Sequence, residues 1–465
     1  MTHPIEELAK RIAAWGGEAV LVGGSVRDMV LRGDNNPFEI QNGDYDIEVF
    51  GLTLPKLKDA LDDNGYHWDE VGEHFAVLKV HVPGVDEPVD LSIPRYEKSY
   101  GDGHREFEIM TNPHLTFKEA ARRRDFTMNA LGYKILTGEL LDPYNGEDDL
   151  DSGLLRIVSD AFDEDPLRVI RAARFCARFG VIPSYDLRDT ARRMRPMADS
   201  LPSERIWMEI EKAVHESESL GTFFYQLWYF NWIDIFPEIH ALEFVKQDPE
   251  WHPEGDVFKH TCHALNYWSQ NLRTGNKEDD LITAIAILCH DFGKVTTSEW
   301  NEETGHITAY GHEEAGAEPT RTFLHRLRQY ELAKEVVPLV ENHLAPVYSA
   351  PTPRSIRRLS TKVKRMDILA NLSRADQAGR PPKSFEVGFY KIGKFVDMVE
   401  SMSLPIGGPK PLVGGDYLVS LGCTPGPDFK VVLGWVYQWQ LDGDITTEEQ
   451  AKASALEIAR DKGMI

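Results

Sequence analysis

Two aspartates in GDYDIEVFG, Asp44 and Asp46, stand two positions apart. In an extended strand side chains at i and i+2 share a face, so these carboxylates point together while Tyr45, Ile47 and Val49 face the other way. Like charges held that close repel unless a cation sits between them. Mg2+ prefers oxygen ligands and keeps contact with substrate phosphates, which makes it the natural occupant. A later strand, PVDLSIPRYEKS, turns Val89, Leu91 and Ile93 inward and leaves Asp90 as a third carboxylate. Three acids around one or two metal ions suit in-line attack of a hydroxyl on an α-phosphate. Upstream, AVLVGGSVRDMVL reads as a buried strand, a two-glycine turn and a helix opening at Ser25, a good N-cap residue. At Gly23 and Gly24 the backbone can turn sharply and bring its N–H groups to a triphosphate, with Arg27 and Asp28 at the mouth. A lone acidic pair or a lone glycine turn is common without function; it is their close succession that points to phosphoryl chemistry.

EDPLR supports a second derivation. Asp165 before Pro166 reads as a helix start with proline at the first helical position, which puts Arg168 one turn on and beside the acid. A carboxylate acceptor next to a guanidinium donor matches the edge that cytosine and adenine share, an exocyclic amine beside a ring-nitrogen acceptor. Guanine and uracil present the reverse pattern and would leave buried groups unpaired, so they are rejected. The same pair can equally be a plain N-cap with a salt bridge. Arg168, Arg171, Arg174 and Arg178 recur at helical spacing and give one basic face, the last three suited to a triphosphate or an RNA stem.

A third group is rich in imidazole. His260 in HPEGDVFKHT, His290 and Asp291 in CHD, His312 in YGHEEAG, His343 in ENH and Asp376 in RADQAGR each fall near a predicted helix end or loop. One HD dipeptide means little, but the series offers six ligands, which suits a metal pair, and its mixed imidazole and carboxylate chemistry suits Mn, Ni, Zn, Fe or Mg. Lys294, one turn past Asp291, is either a phosphate contact or a solvated lysine. His252, His263, His306 and His325 read as surface or core residues, and FFYQLWYFNW as helix packing.

GGSVRD followed by DYD resembles the polymerase-β-like nucleotidyltransferase superfamily. RRRDFTMNAL and EDPLRVIRAARFCARFG are similar to its bacterial and eukaryotic CCA-adding class, over residues 20 to 240. That likeness implies that Arg124, Asp125 and Asn129 contact the ribose and phosphates of the incoming nucleotide, and that PRYEKSYGDGHREFEI, with Arg95 and Arg105, is the flexible loop used in switching from C to A. The histidine series resembles the HD phosphohydrolase superfamily, with Asp376 as the distal ligand and 2′,3′-cyclic or 2′-phosphates on tRNA ends as substrates. Expected partners are tRNA, ATP and CTP.

These residues need elements to hold them. Alternating strand-like runs to about residue 150, then helical text, predict an α+β fold: a nucleotidyltransferase head with a small β-sheet over residues 1–150, a helical neck that reads the base and binds tRNA (151–247), an HD domain (248–385) and a helical C-terminal tail (386–465). A chain of 465 residues accommodates several cores, and no internal repeat is present. The four cysteines form no CxxC pair, and the charged N-terminus has no signal core, which together predict a cytoplasmic protein with no membrane role. A net charge of −24 sits oddly with RNA binding, but the cations cluster at 121–125, 168–178, 188–195 and 353–365, a segregation that permits a basic groove on an acidic body. The competing readings are an A-adding or poly(A) polymerase of the same class, an HD phosphohydrolase whose head only binds nucleotide, and an RNA-binding scaffold with degenerate sites. Oligomeric state is not legible.

Overall fold

The computed structural model of the chain describes residues 3–34, 36–38, 45–71, 77–99, 107–348 and 350–465, so Asp44 and Arg105 lie outside the described residues. The chain divides into two compact units, Met1–Leu201 with Gln226–Trp232, and Pro202–Tyr225 with Ile233–Ile465.

The first unit is built on a seven-stranded sheet. Its strands follow in the order His67–Val71, Val77–His81, Val89–Ser92, Asp46–Phe50, Glu18–Val22, Gly132–Lys134 and Leu140–Leu141. Only the pair Asp46–Phe50 and Val89–Ser92 runs parallel; the other neighbours are antiparallel. Leu21, Ile47, Val49, Leu78, Val80, Val89 and Leu91 are all buried, the expected result of β-branched and leucine residues on a packed strand face. The helix Pro4–Ala14 buries Ile5, Leu8 and Ile12 and packs on the strand Glu18–Val22. The expected helix start at Ser25 is displaced by one turn position: Gly23 occupies the cap, the helix runs Gly24–Arg32, and the buried Ser25 hydroxyl donates instead to the Val22 carbonyl at 3.4 Å. Two arms of the expected C-to-A loop, Arg95–Ser99 and Phe107–Thr111, pair as an antiparallel hairpin. Residues 100–106 of that loop lie outside the described residues.

In the second unit the helices Val257–Asn271, Lys277–Cys289, Tyr330–Asn342 and Met366–Ala378 pack on one another, and together they present the ends at which the histidines sit. Helix Lys277–Cys289 is apolar on nearly every side, ITAIAILC, because it runs through the middle of this bundle. The C-terminal helices Gly415–Ser420, Pro427–Asp442 and Glu448–Asp461 close over a core of their own that includes Leu418, Val432, Val436 and Ala455. The cations of residues 353–365 are engaged within this unit: Arg354 and Arg358 pair with Asp442, Lys364 with Glu335, and Arg365 with Asp279 and Asp367. Such pairs neutralise much of the expected basic patch there. Among the described residues no helix is long and apolar enough to cross a membrane.

Within FFYQLWYFNW, Phe223, Phe224, Leu227, Phe230 and Trp232 are buried, as packing residues should be. Trp232 is completely enclosed and its indole N–H donates to the Ala191 carbonyl at 2.7 Å. Trp232→Ala removes both the volume and the donor, and chemical denaturation of the full chain should register a loss of about 3–5 kcal/mol in the transition of the first unit.

Candidate functional site

Sheet register decides how the acids of the first unit meet. Asp46 and Asp90 are direct partners in the parallel pair of strands, and the Asp90 N–H donates to the Tyr45 carbonyl at 2.9 Å, which holds that register at the strand mouth. Partners across a strand pair present their side chains on one face, so the two carboxylates are neighbours. Lys79 on the next strand supplies an ammonium 2.9 Å from Asp90. Val22 is the partner of Asp46 on the other side, and this brings the glycine turn against the acids. Gly23 has φ +78°, and a Cβ there would stand 3.2 Å from Asp46 Oδ2. Both the left-handed backbone and the close approach therefore call for glycine.

The residues expected to contact nucleotide are joined by hydrogen bonds. Arg27 Nη1 donates to Asn129 Oδ1 at 2.8 Å, and the Asn129 amide donates to Asp125 Oδ1 at 2.9 Å. Arg171 donates from Nε and Nη2 to the one oxygen Asp125 Oδ2 at 2.9 and 2.7 Å, a charge-assisted ion pair. Arg124 donates to the Asn129 carbonyl at 3.1 Å. Burial alone would push the Asp125 carboxyl up; the Arg171 charge, the Asn129 amide and the Phe126 N–H outweigh it and hold the group below the usual carboxylate value. Arg27 lies 4.6 Å over the Phe179 ring, and the buried Arg174 lies 4.5 Å over Phe175. Gly24 and Ser25 open the helix that carries Arg27.

The Asp165 and Arg168 pair behaves differently from its reading as a base-recognising couple. Asp165 Oδ1 accepts from the Leu167 N–H at 3.0 Å, the helix begins at Leu167, and Arg168 donates to the Ala161 and Arg123 carbonyls, the latter at 2.8 Å. In this state the carboxylate caps the helix and the guanidinium ties three chain segments together. Glu48 was overlooked. It is fully buried, two positions along the strand from Asp46, with Arg123 at 3.3 Å and Arg124 at 3.7 Å. The same i+2 rule puts it on the face of Asp46.

The six HD-series residues converge in the second unit, and all are buried: His260, His290, Asp291, His312, His343 and Asp376. His260 Nε2 lies 3.1 Å from Asp376 Oδ1 and 3.8 Å from Asp291 Oδ2; His290 Nε2 lies 3.2 Å from Asp291 Oδ2. On the other flank of Asp291, His312 Nε2 approaches Oδ1 at 3.4 Å and lies 3.3 Å from His343 Nε2. Asp291 thus belongs to two ligand triads, one with His260 and His290 and one with His312 and His343. A carboxylate shared in this way suits a bridging position between two cations. The outer ring nitrogens are all occupied. His290, His312 and His343 donate Nδ1–H to the carbonyls of Ile287, Ala309 and Val340, each at 2.7 Å, which fixes the tautomer and leaves each Nε2 lone pair facing inward. His290 Nε2 is buried without a hydrogen-bond partner, the behaviour of an atom shaped for a cation. The donor set fits a divalent metal.

Burial, reinforced by the neighbouring His290 and His312, depresses the His343 pKa to about 3. For Asp291 burial acts upward, yet His290 and Lys294 overcome it and the carboxyl stays well below its ordinary range. Lys294 is buried, 2.8 Å from Asp291 and 2.9 Å from Gln247 Oε1, so it is not a solvated lysine. His252 departs from its reading as a surface or core residue. It shares the carboxylate of Glu254 with His260, at 2.8 and 2.9 Å, and so belongs to the surroundings of the site. His306 is likewise engaged, with Asp248 at 3.0 Å. Neither Glu254 nor Asp248 stands at a spacing that sequence alone would single out. The group opens onto a cavity of about 760 Å³ lined by Asp291, His312, His343, Asp376, Lys294 and Arg380 among others.

Two family models match the segments that carry the acid pair and the histidine cage. Residues 19–156 match the Poly A polymerase head domain and residues 257–372 match the HD domain. Both are metal-dependent families. A "Multifunctional CCA protein" of Stenotrophomonas maltophilia is 34% identical over 388 residues, 78% of this chain and 82% of that protein. The chain belongs to the multifunctional CCA protein family. The fold is shared with the Bacillus stearothermophilus CCA-adding enzyme in complex with CTP (TM-score 0.66, 19% identity, covering 100% of this chain and 99% of that one). It is shared also with the Thermotoga maritima CCA-adding enzyme complexed with tRNA-CCA (TM-score 0.55, 19% identity, covering 97% and 94%).

Asp125 has a depressed carboxyl, so its stabilising contribution is present at neutral pH and fades as the pH falls through the folded-state value. Asp125→Asn should therefore lower unfolding stability at pH 7 by on the order of 1–3 kcal/mol, with the gap to the parent closing below the carboxylate range in urea titrations run at several pH values. For the second unit, Glu254→Gln should weaken divalent-metal affinity by about 10–100-fold in a competition titration with a chelating dye, because the charge that orients His260 is gone.

Proposed function

We propose that the head transfers nucleotidyl groups from CTP and ATP to the 3′ end of tRNA, without a template, adding or repairing CCA, and that the HD cage removes phosphate from the same class of RNA end. The carrying observation is the register of Asp46 against Asp90 beside the Gly23 turn, in one unit with the Arg27–Asn129–Asp125–Arg171 chain of bonds. Asp44, Asp46 and Asp90 are the residues that would hold Mg2+, and a bound ion there supplies charge neutralisation at the reacting phosphate. Around it the chain itself orients the substrate. Gly23, Gly24 and Ser25 bring backbone to the triphosphate, Arg27, Arg124, Asn129 and Asp125 take ribose and phosphate, and Arg171 and Arg174 add positive charge. Discrimination for C and A over G and U is assigned to Asp165 and Arg168. For that role both must exchange their present backbone partners for the base, a step that nucleotide entry would drive.

In the second unit His260, His290, Asp291, His312, His343 and Asp376 would hold one or two divalent ions of Mn, Ni, Zn, Fe or Mg, and Lys294 meets the phosphate. Water opening a 2′,3′-cyclic phosphate at its P–O3′ bond frees the 3′ hydroxyl that the head needs as nucleophile, and hydrolysis of the 2′-phosphate left behind restores the 2′ hydroxyl and releases inorganic phosphate. Functionally we divide the chain into head 1–150, neck 151–247, HD domain 248–385 and tail 386–465. Four free, buried cysteines favour a cytoplasmic setting.

Truncated tRNA offered each labelled nucleotide in turn provides the test. The expected result is incorporation of C and A only, halting at the complete end. Asp46→Ala should abolish addition and keep phosphatase activity, and Asp291→Ala should do the reverse. Uptake of G or U, or A tails of indefinite length, would overturn the assignment.

A further inference from the structure

We propose that Tyr310 and Tyr348 form a nucleobase-stacking subsite in the cavity of the histidine cage, so that this pocket binds nucleotides more tightly than base-free phosphoesters. The inference rests on the phosphohydrolase reading of the cage and narrows its substrate class. A cavity of about 760 Å³ falls in the range that encloses a whole organic ligand, far more than a phosphate group alone requires. Asp291, His312, His343 and Asp376 line it, with Lys294 bound to Asp291 and Arg380 bound to Asp376. Trp251, Tyr310 and Tyr348 are its aromatic lining residues. Lys383 sits 4.4 Å over the Trp251 ring, so one face of that ring is occupied by a cation. Tyr310 and Tyr348 are 72% and 70% exposed and line the same cavity.

Chain connectivity fixes these two rings close to the cage ligands. Tyr310 lies between Ala309, whose carbonyl accepts from His312 Nδ1, and Gly311, whose φ of +75° turns the chain into His312. Tyr348 closes the short helix Ala345–Tyr348, which begins two residues after His343, and its N–H donates to the Leu344 carbonyl at 3.0 Å. His312 Nε2 and His343 Nε2 are 3.3 Å apart, and Tyr310 lies inside the turn that aims the first while Tyr348 ends the helix that follows the second. A phosphate held at those ligands therefore places its attached nucleoside near the two rings. Base stacking on tyrosine tolerates every base, which suits an RNA end and needs no hydrogen-bond readout.

The test compares adenosine 2′-phosphate with two base-free probes, inorganic phosphate and glycerol 2-phosphate, on the full-length metal-loaded protein with the head saturated by CTP. In Tyr310→Ala, Tyr348→Ala and the double variant, equilibrium dialysis should show the Kd for adenosine 2′-phosphate raised about ten-fold or more, with phosphate binding unchanged. Hydrolysis should follow as a KM effect confined to the nucleotide, kcat and glycerol 2-phosphate turnover being kept. Phenylalanine at either position should restore binding, because stacking needs the ring and not the hydroxyl. Unchanged nucleotide binding in the double variant, or equal loss of nucleotide and phosphate binding, overturns the subsite. Tyrosine-dependent binding without turnover of either ester leaves the subsite standing and removes the hydrolytic reading; turnover of both esters indifferent to the tyrosines does the opposite.

Discussion

Carboxylates gathered where they repel one another are the constraint around which both halves of this chain are arranged. In the first unit Asp46 and Asp90 are register partners, and Glu48 is buried two residues along, so cations converge from every side: Lys79 on Asp90, Arg123 and Arg124 on Glu48. In the second unit Asp291 and Asp376 are buried among four imidazoles, with Lys294 and Arg380 reaching in. Clustering acids in this way opposes folding unless positive charge comes with them, and the chain retains the arrangement because a divalent ion and a phosphate then find complementary charge already in place.

The two arrangements use different means to the same end. The head relies on strand geometry, in which neighbouring carboxylates arrive by pairing, and on a glycine turn that comes close to Asp46. The cage relies on helix ends that meet at a common centre, the end of Lys277–Cys289 supplying both His290 and Asp291. The described residues of the acid site lie in one compact unit and those of the histidine cage in the other. An acidic total charge of −24 is compatible with this economy of local fields, because the guanidinium groups of Arg27, Arg171 and Arg174 are concentrated around Asn129, Asp125 and Phe175.

Much of this was legible from spacing. Period-two alternation exposed the strands that carry Asp46 and Asp90, and the histidine series marked the cage because each member stands at a predicted helix end. What escaped had no period. Glu254 precedes His260 by six residues across a loop and a cap, so its bond to the imidazole is a product of tertiary packing. Ser25 looked like a cap because its side chain favours one, yet the approach of the turn to Asp46 demands glycine at that position, and close packing overrode propensity. For Asp165 and Arg168 residue type supplied an acceptor and a donor but not the backbone groups they meet, because backbone carbonyls compete for guanidinium and carry no sequence signal. Basic clusters were also a poor guide at 353–365, where nearby acids on folded neighbours take up the charge.

The carbonyls that receive His290, His312 and His343 each lie three residues earlier in the same turn. Ring orientation is therefore dictated by local backbone, and the cage acquires its aim as the helices dock, before any ion arrives. A centre assembled in that order behaves as a receptor awaiting cargo, and which ion fills it in a cell is governed by supply at the moment of loading as much as by affinity.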